Sequence, residues 1–164
     1  VIAQLFSVPN HTFIHNTVSE LAAQNVPNAW MMRCGFIIFG VLFSMGIYHA
    51  LTNAQVNKFS AIFFILYGIS ILLSGFFSTN FADYPFKQLD VTLHSVFASL
   101  AGFSLIIAML IDIYFASNLM KSLNLIFIIL ISGLSFLIQS NGEIQGLIQR
   151  VMYLVTFIYL FIRF

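Results

Sequence analysis

The sequence predicts an all-α, polytopic transmembrane helical bundle: five complete helices plus the tail of a first one, six in the full protein. Three observations carry this. Of the 164 residues 60% are hydrophobic and only 7% charged, whereas soluble domains carry roughly a quarter charged residues. The apolar residues gather into five runs, each near the length that crosses a hydrocarbon core of roughly 30 Å as a helix. The runs are also continuous. A barrel strand would alternate polar and apolar residues over about ten positions, and lipid offers no hydrogen bonds to bare backbone, so helices are the form that fits.

Taken in order, "VIAQLF" (1–6) is too short to span a bilayer and has no basic region before it, so it is not a signal peptide as it stands. It reads as the tail of a first membrane helix. In "TVSELAAQ" (17–24) Ser19 is placed to cap a short interfacial helix with Val18, Leu21 and Ala22 on its apolar side, limited by Pro27. A plain loop accounts for the stretch equally well. The five full runs cover approximately 33–51, 59–77, 93–115, 123–138 and 146–162, and with the stub they form one bundle domain over 1–164. Cys34, the single cysteine, permits no intrachain disulfide or cysteine-based zinc cluster and is expected to be a buried small residue. Gly68 and Gly75 in the second run, and Ala98, Ala101 and Gly102 in the third, recur at helical spacing and would let backbones approach closely. The 20 phenylalanines supply lipid-facing bulk.

The connections are unequal. Residues 52–58 and 116–122 are short and carry Lys58 and Lys121. Residues 7–30, 78–90 and 139–145 carry Glu20, Asp83, Asp90 and Glu143. Counting helices puts the three acidic loops on one side and both lysine loops, with Arg163, on the other. The positive-inside rule then turns the acidic loops outward, although Arg33, Lys87 and Arg150 fall on that side too. A net charge of +1 excludes nucleic acid as an electrostatically steered partner. The expected partners are membrane lipids, with another membrane protein as a further candidate.

Polar residues that carry chemistry converge on the acidic side. Asp90 and His94 are one turn apart, so on a helix they share a face. A carboxylate beside an imidazole fixes its tautomer and raises its basicity; a histidine capping a helix end explains the same residue without activity. Ser95 points roughly 100° away, so no Ser–His relay forms within this helix. In "GLIQR" (146–150) Arg150 falls one turn inside the last helix, where its guanidinium seeks a carboxylate or phosphate. Glu20, Asp83, Asp90 and Glu143 are the internal candidates, a lipid phosphate is the external one, and snorkelling to the headgroups is the alternative. "HTFIH" (11–15) pairs His11 and His15 at helical spacing, but no third zinc ligand is fixed by sequence, so neither metal nor cofactor is expected. His49 suits a helix C-terminus. Asp112, the lone acid in its half of the third run, is expected to reach the interface or pair with Lys121. There is no glycine-rich phosphate loop, Gly-x-Ser-x-Gly elbow or His-Glu-x-x-His motif.

The ordered set "SEL" (19–21), "GFFSTN" (75–80), His94 and "GLIQR" (146–150) resembles an uncharacterised prokaryotic integral-membrane family, domain of unknown function 998, over nearly the whole chain. That family typically shows Gly-x-Phe-Pro-x-Asp after its third helix. Here Gly75 and Phe77 are kept, but Ser78 and Asn80 replace the proline and the acid, and Ser95 replaces the glycine that follows the histidine. His11 and His15 belong to no pattern of that family. The resemblance implies a six-helix bundle in a prokaryotic inner membrane with its signature residues on one side, and it supplies no activity to carry over.

Two functions fit these residues. In one, a non-enzymatic membrane protein uses an outward polar pocket to bind a lipid headgroup, small ligand or partner. Arg150 would hold an anionic group, and Glu20, Asp90, His94 and Gln149 would line the pocket. In the other, an intramembrane hydrolase or transferase uses His94 as base and Asp90 as its orienter, with or without the assistance of a metal. A channel or transporter ranks lower, for want of an internal repeat or a membrane-centred charged path. The first is preferred, and it requires Glu20, His94 and Arg150 to open into a common cavity.

Overall fold

The structure, a computed structural model, describes residues 2–82 and 84–164. Asp83, one of the candidate partners of Arg150, lies outside the described residues. The elements are α1 (Ile2–Leu5), a 3-10 turn (Ser19–Ala22), α2 (Ala29–Thr52), α3 (Lys58–Phe76), α4 (Gln88–Phe115), α5 (Asn118–Ser140) and α6 (Gln145–Arg163). The last five are each long and apolar enough to cross a membrane, which makes the chain a multi-pass membrane protein. They coincide with the five predicted runs, but α2, α4 and α5 begin several residues earlier. Their first turns are built from residues that read as loop by polarity. In α4, Asp90 sits in the first turn, where a carboxylate suits the positive end of the helix. Asn57 caps α3 by accepting the Phe59 amide on its side-chain oxygen at 2.8 Å.

Consecutive helices pack as neighbours, α2 on α3, α3 on α4, α4 on α5 and α5 on α6. The closest seam is α2–α3. A Cβ on Gly40 would lie 2.5 Å from the Gly68 carbonyl oxygen and 2.8 Å from the Leu72 amide nitrogen, and one on Gly75 would lie 2.9 Å from the Arg33 carbonyl oxygen. Small residues here set the interhelical distance, as expected for Gly68 and Gly75. Gly102 on α4 behaves differently: a Cβ there meets nothing within 4 Å. Along with the exposed Ala98, it borders open space rather than a helix contact. The core centres on Ile47, Phe64, Tyr67, Leu105, Met109 and Tyr159, contributed by four helices.

Three further expectations are corrected. Cys34 is exposed, on the face of α2 away from the buried Phe36 and Gly40. Asp112, 2% exposed, pairs with Arg163 rather than Lys121: Arg163 Nε donates to Oδ2 at 2.5 Å and Nη2 to Oδ1 at 3.0 Å. The planar guanidinium matches both carboxylate oxygens, which a lysine cannot do, and the pair ties the end of α4 to the last turn of α6. Residues 17–24 form only a 3-10 turn, and Ser19 caps nothing, since the residue before the turn is Val18, with no side-chain cap.

Candidate functional site

The long-loop end of the bundle is held together by side chains that reach backbone. Thr17 and Glu20 form a reciprocal capping box. The Thr17 amide (2.5 Å) and hydroxyl (3.1 Å) both donate to Glu20 Oε2, and the Glu20 amide donates back to Thr17 Oγ1 at 3.3 Å. Arg33 donates from Nε to Ala22 O and from Nη2 to Ala23 O, each at 2.9 Å. The buried Gln24 side chain donates to Ser78 O (2.9 Å) and Lys87 O (3.2 Å) and accepts the Lys87 amide (2.7 Å), clamping the 7–28 loop to the 77–87 loop.

Arg150 belongs to the same scaffold. Its Nη1 donates to Asn16 O at 2.8 Å and Gly146 O at 2.9 Å, its Nη2 to Gln4 Oε1 at 2.8 Å, and the guanidinium lies 4.2 Å from the Phe13 ring centroid. Among the described residues it makes no ion pair within 4 Å with any carboxylate. Beneath it a Cβ on Gly146 would collide with the Asn16 carbonyl, so the loop lies directly on the start of α6. Gln4, with Oε1 committed to Arg150, donates from Nε2 to Ser7 Oγ and to His11 Nδ1, each at 3.2 Å. His11 therefore carries its proton on Nε2, which faces Thr17 O at 3.3 Å. Burial pushes its pKa below the ordinary histidine value, against the raising effects of the Thr17 carbonyl and the Glu20 charge. Both ring nitrogens are thus engaged. His15 is exposed, and among the described residues no three His, Cys, Asp or Glu side chains come together to hold a metal ion.

His94 is turned toward α3. Its Nδ1 lies 2.8 Å from Phe77 O and 3.1 Å from Ser74 O, two carbonyls at the C-terminal end of that helix. Two acceptors around Nδ1 require it to be the protonated nitrogen. The ring therefore caps α3, where orphan carbonyls need donors. These carbonyls, not Asp90, fix the tautomer. The Asp90 carboxylate makes no hydrogen bond and no ion pair among the described residues. His94 Nε2 is left as an acceptor with no protein partner among the described residues.

The cavity that His94 borders has a volume of about 150 Å³ and lies among all five long helices and the 3-10 turn. Among the described residues its wall is apolar except where Ser19, Tyr67, Ser74, His94, Ser135, Gln149, Tyr153 and Thr156 meet it. Gln149 is oriented within it, because Oε1 accepts the Val18 amide at 2.6 Å and its amide NH2 is left over as a donor. Of the expected ligand-binding residues the structure brings together His94 and Gln149 only. Glu20 and Arg150 do not line this cavity. Each is one residue out of register: Ser19 and Gln149 face the cavity, while Glu20 and Arg150 hold the loop. Glu20 borders a separate crevice of about 10 Å³ with His11, room for about one water. At the other end a shallower concavity of about 650 Å³ opens between Asn57, Asp112, Ser117 and Arg163, but Asp112 and Arg163 already satisfy each other there.

Sequence reading missed Tyr67, Ser74, Ser135, Tyr153 and Thr156, single polar groups within long apolar runs, and it missed the Gln24 clamp. The capping box did leave a signal, Thr17-x-x-Glu20.

A family model described as "Protein of unknown function (DUF998)" matches residues 1–163. No curated protein and no solved structure matches the chain.

Proposed function

The chain belongs to the DUF998 family, and from that premise we propose that this multi-pass membrane protein holds a membrane amphiphile, a lipid or small ligand, in the cavity bordered by His94 and Gln149. The observation that carries the reading is the convergence of oriented polar groups on one cavity of an otherwise apolar bundle, with Ala98 and Gly102 exposed beside it. Ionisable groups at membrane depth are rare and, unless structural, mark binding paths. Arg150 is not the anion holder in this reading, because its donors already reach three oxygens of the scaffold. We assign the long-loop end to the outer face of a prokaryotic inner membrane, on the strength of Lys58, Lys121 and Arg163 at the opposite end.

Gly102 provides the test. A Cβ there meets no neighbour within 4 Å and Gly102 borders the cavity, so Gly102→Leu is expected to fill the space without disturbing a helix contact. Native mass spectrometry of the purified protein is expected to show several-fold less retained lipid in the variant, at unchanged helix content. Equal lipid retention contradicts the reading.

A second reading rests on one observation, the free Nε2 of His94. With Nδ1–H anchored to carbonyls, Nε2 is arranged as a general base is, and an intramembrane hydrolase or transferase would use it on a group bound in the same cavity. Turnover of a bound lipid by the wild type and not by His94→Asn would favour it over binding alone.

A further inference from the structure

We propose that the amphiphile, given that the cavity binds one, is an uncharged lipid alcohol: one apolar chain ending in a hydroxyl-bearing head, and neither a phospholipid nor a fatty-acid anion. Two observations support this independently.

The first is the charge inventory. Among the described residues no Asp, Glu, Lys or Arg lines the cavity. The two guanidinium groups at that end, Arg33 and Arg150, point their donors at backbone carbonyls and at Gln4, and Lys87, the remaining cation there, is exposed and is not among the lining residues. An anionic head entering here would leave water without meeting a countercharge, and burying an unpaired charge in a low-dielectric interior is strongly unfavourable. Lipids with phosphate or carboxylate heads are therefore disfavoured by the wall itself.

The second is the polarity of the free groups. Donation from Nδ1 to Ser74 O and Phe77 O fixes His94 Nε2 as an acceptor. Acceptance of the Val18 amide by Oε1 fixes the Gln149 amide nitrogen as a donor. The cavity thus presents one acceptor and one donor whose roles the scaffold has already set, beside the adaptable hydroxyls of Ser19 and Tyr153. A hydroxyl both donates and accepts, so it complements the pair; an ester or ether oxygen only accepts, and leaves Nε2 unpaired. The exposed Ala98 and Gly102 leave a side of α4 along which a flexible chain passes into the surrounding lipid.

The test uses the full chain in detergent and three probes of equal acyl length: 1-oleoylglycerol (uncharged, with hydroxyls), methyl oleate (uncharged, no hydroxyl) and oleate at a pH that keeps it ionised. Binding by equilibrium dialysis is expected to favour oleoylglycerol by about tenfold or more over both others, the scale of one unmade buried hydrogen bond. His94→Asn keeps a donor near the Nδ1 position for the α3 carbonyls and leaves nothing at the Nε2 position. In that variant the gap between oleoylglycerol and methyl oleate is expected to close, and Gln149→Met is expected to narrow it as well. Oleate binding as tightly as oleoylglycerol, or a gap unchanged in both variants, overturns the lipid-alcohol assignment while binding that still falls in Gly102→Leu preserves the cavity reading. Binding of every probe insensitive to Gly102→Leu overturns both.

Discussion

Replacing Arg163 by leucine is expected to lower the free energy of unfolding by about 3–5 kcal/mol, the range for breaking a buried ion pair from one side. The magnitude comes from the partner left behind. Asp112 is 2% exposed, and its other contact is the Ser60 hydroxyl at 3.4 Å, so the variant strands a carboxylate between helices. Arg163→Lys keeps a charge but not the two-oxygen geometry and is expected to fall between wild type and leucine. Adding Asp112→Asn to Arg163→Leu removes the stranded charge and is expected to restore much of the loss, so the double-mutant cycle reports strong coupling. Denaturant titration in micelles, followed by circular dichroism, measures wild type, the single variants Arg163→Leu and Asp112→Asn, their double variant, and Arg163→Lys. A change below about 1 kcal/mol in Arg163→Leu, the ceiling for exposed pairs, would show that this end is wetter than the burial of Asp112 indicates.

The second large effect lies at the α2–α3 seam. Gly40→Leu is expected to destabilise by about 3 kcal/mol, the upper end of overpacking costs, because the new side chain begins against the Gly68 carbonyl and the Leu72 amide, both backbone. Removing a helix-interior glycine returns about 1 kcal/mol in propensity, which is too little to reverse the sign. The same change at Gly102 meets open space and is expected to leave stability unchanged or raised. Gly40→Leu should therefore lower the denaturation midpoint and Gly102→Leu should not. A shift of equal sign and size would contradict the packing described for α4.

The helices were legible because run length and continuous apolarity are properties of single segments. Their starts at Gln88 and Asn118 were not, since a polar first turn and a loop look alike by composition until capping and dipole are considered. Legibility of the site was narrower still. That SEL, His94 and GLIQR lie at one end followed from counting helices. Which member of each adjacent pair faces inward did not: Gln149 and Arg150 are neighbouring polar residues of α6, so the amphipathic pattern of that helix does not choose between them, and Ser19 and Glu20 sit in a 3-10 turn. Glu20 and Arg150 drew attention as ionisable residues, yet their neighbours Ser19 and Gln149 border the cavity. Arg150 was expected to seek an anion. The Asn16 carbonyl, 134 residues away in sequence, the Gln4 side chain and the Gly146 carbonyl satisfy it instead, and nothing local announces the first two. Asp112 and Arg163 were placed at the same end by the same counting, and only the fork geometry of arginine, which lysine lacks, argued for that pairing over Lys121.

The family signature then reads largely as architecture. Gly75 sets the seam beside Arg33, the His94 Nδ1 caps α3, Glu20 closes the capping box and Arg150 fastens the long loop. What this architecture leaves free is the His94 Nε2 and the Gln149 amide.

Photo-crosslinking tests most directly whether that free pair is where a lipid sits. A monoacylglycerol carrying a diazirine near its head, irradiated with the protein in nanodiscs and mapped by peptide mass spectrometry, is expected to label residues 94–102 and 149–156, and to lose that labelling in Gly102→Leu. Label confined to outward-facing residues such as Phe103 and Phe161, and indifferent to Gly102→Leu, would mean that the cavity is packing space and not a binding site.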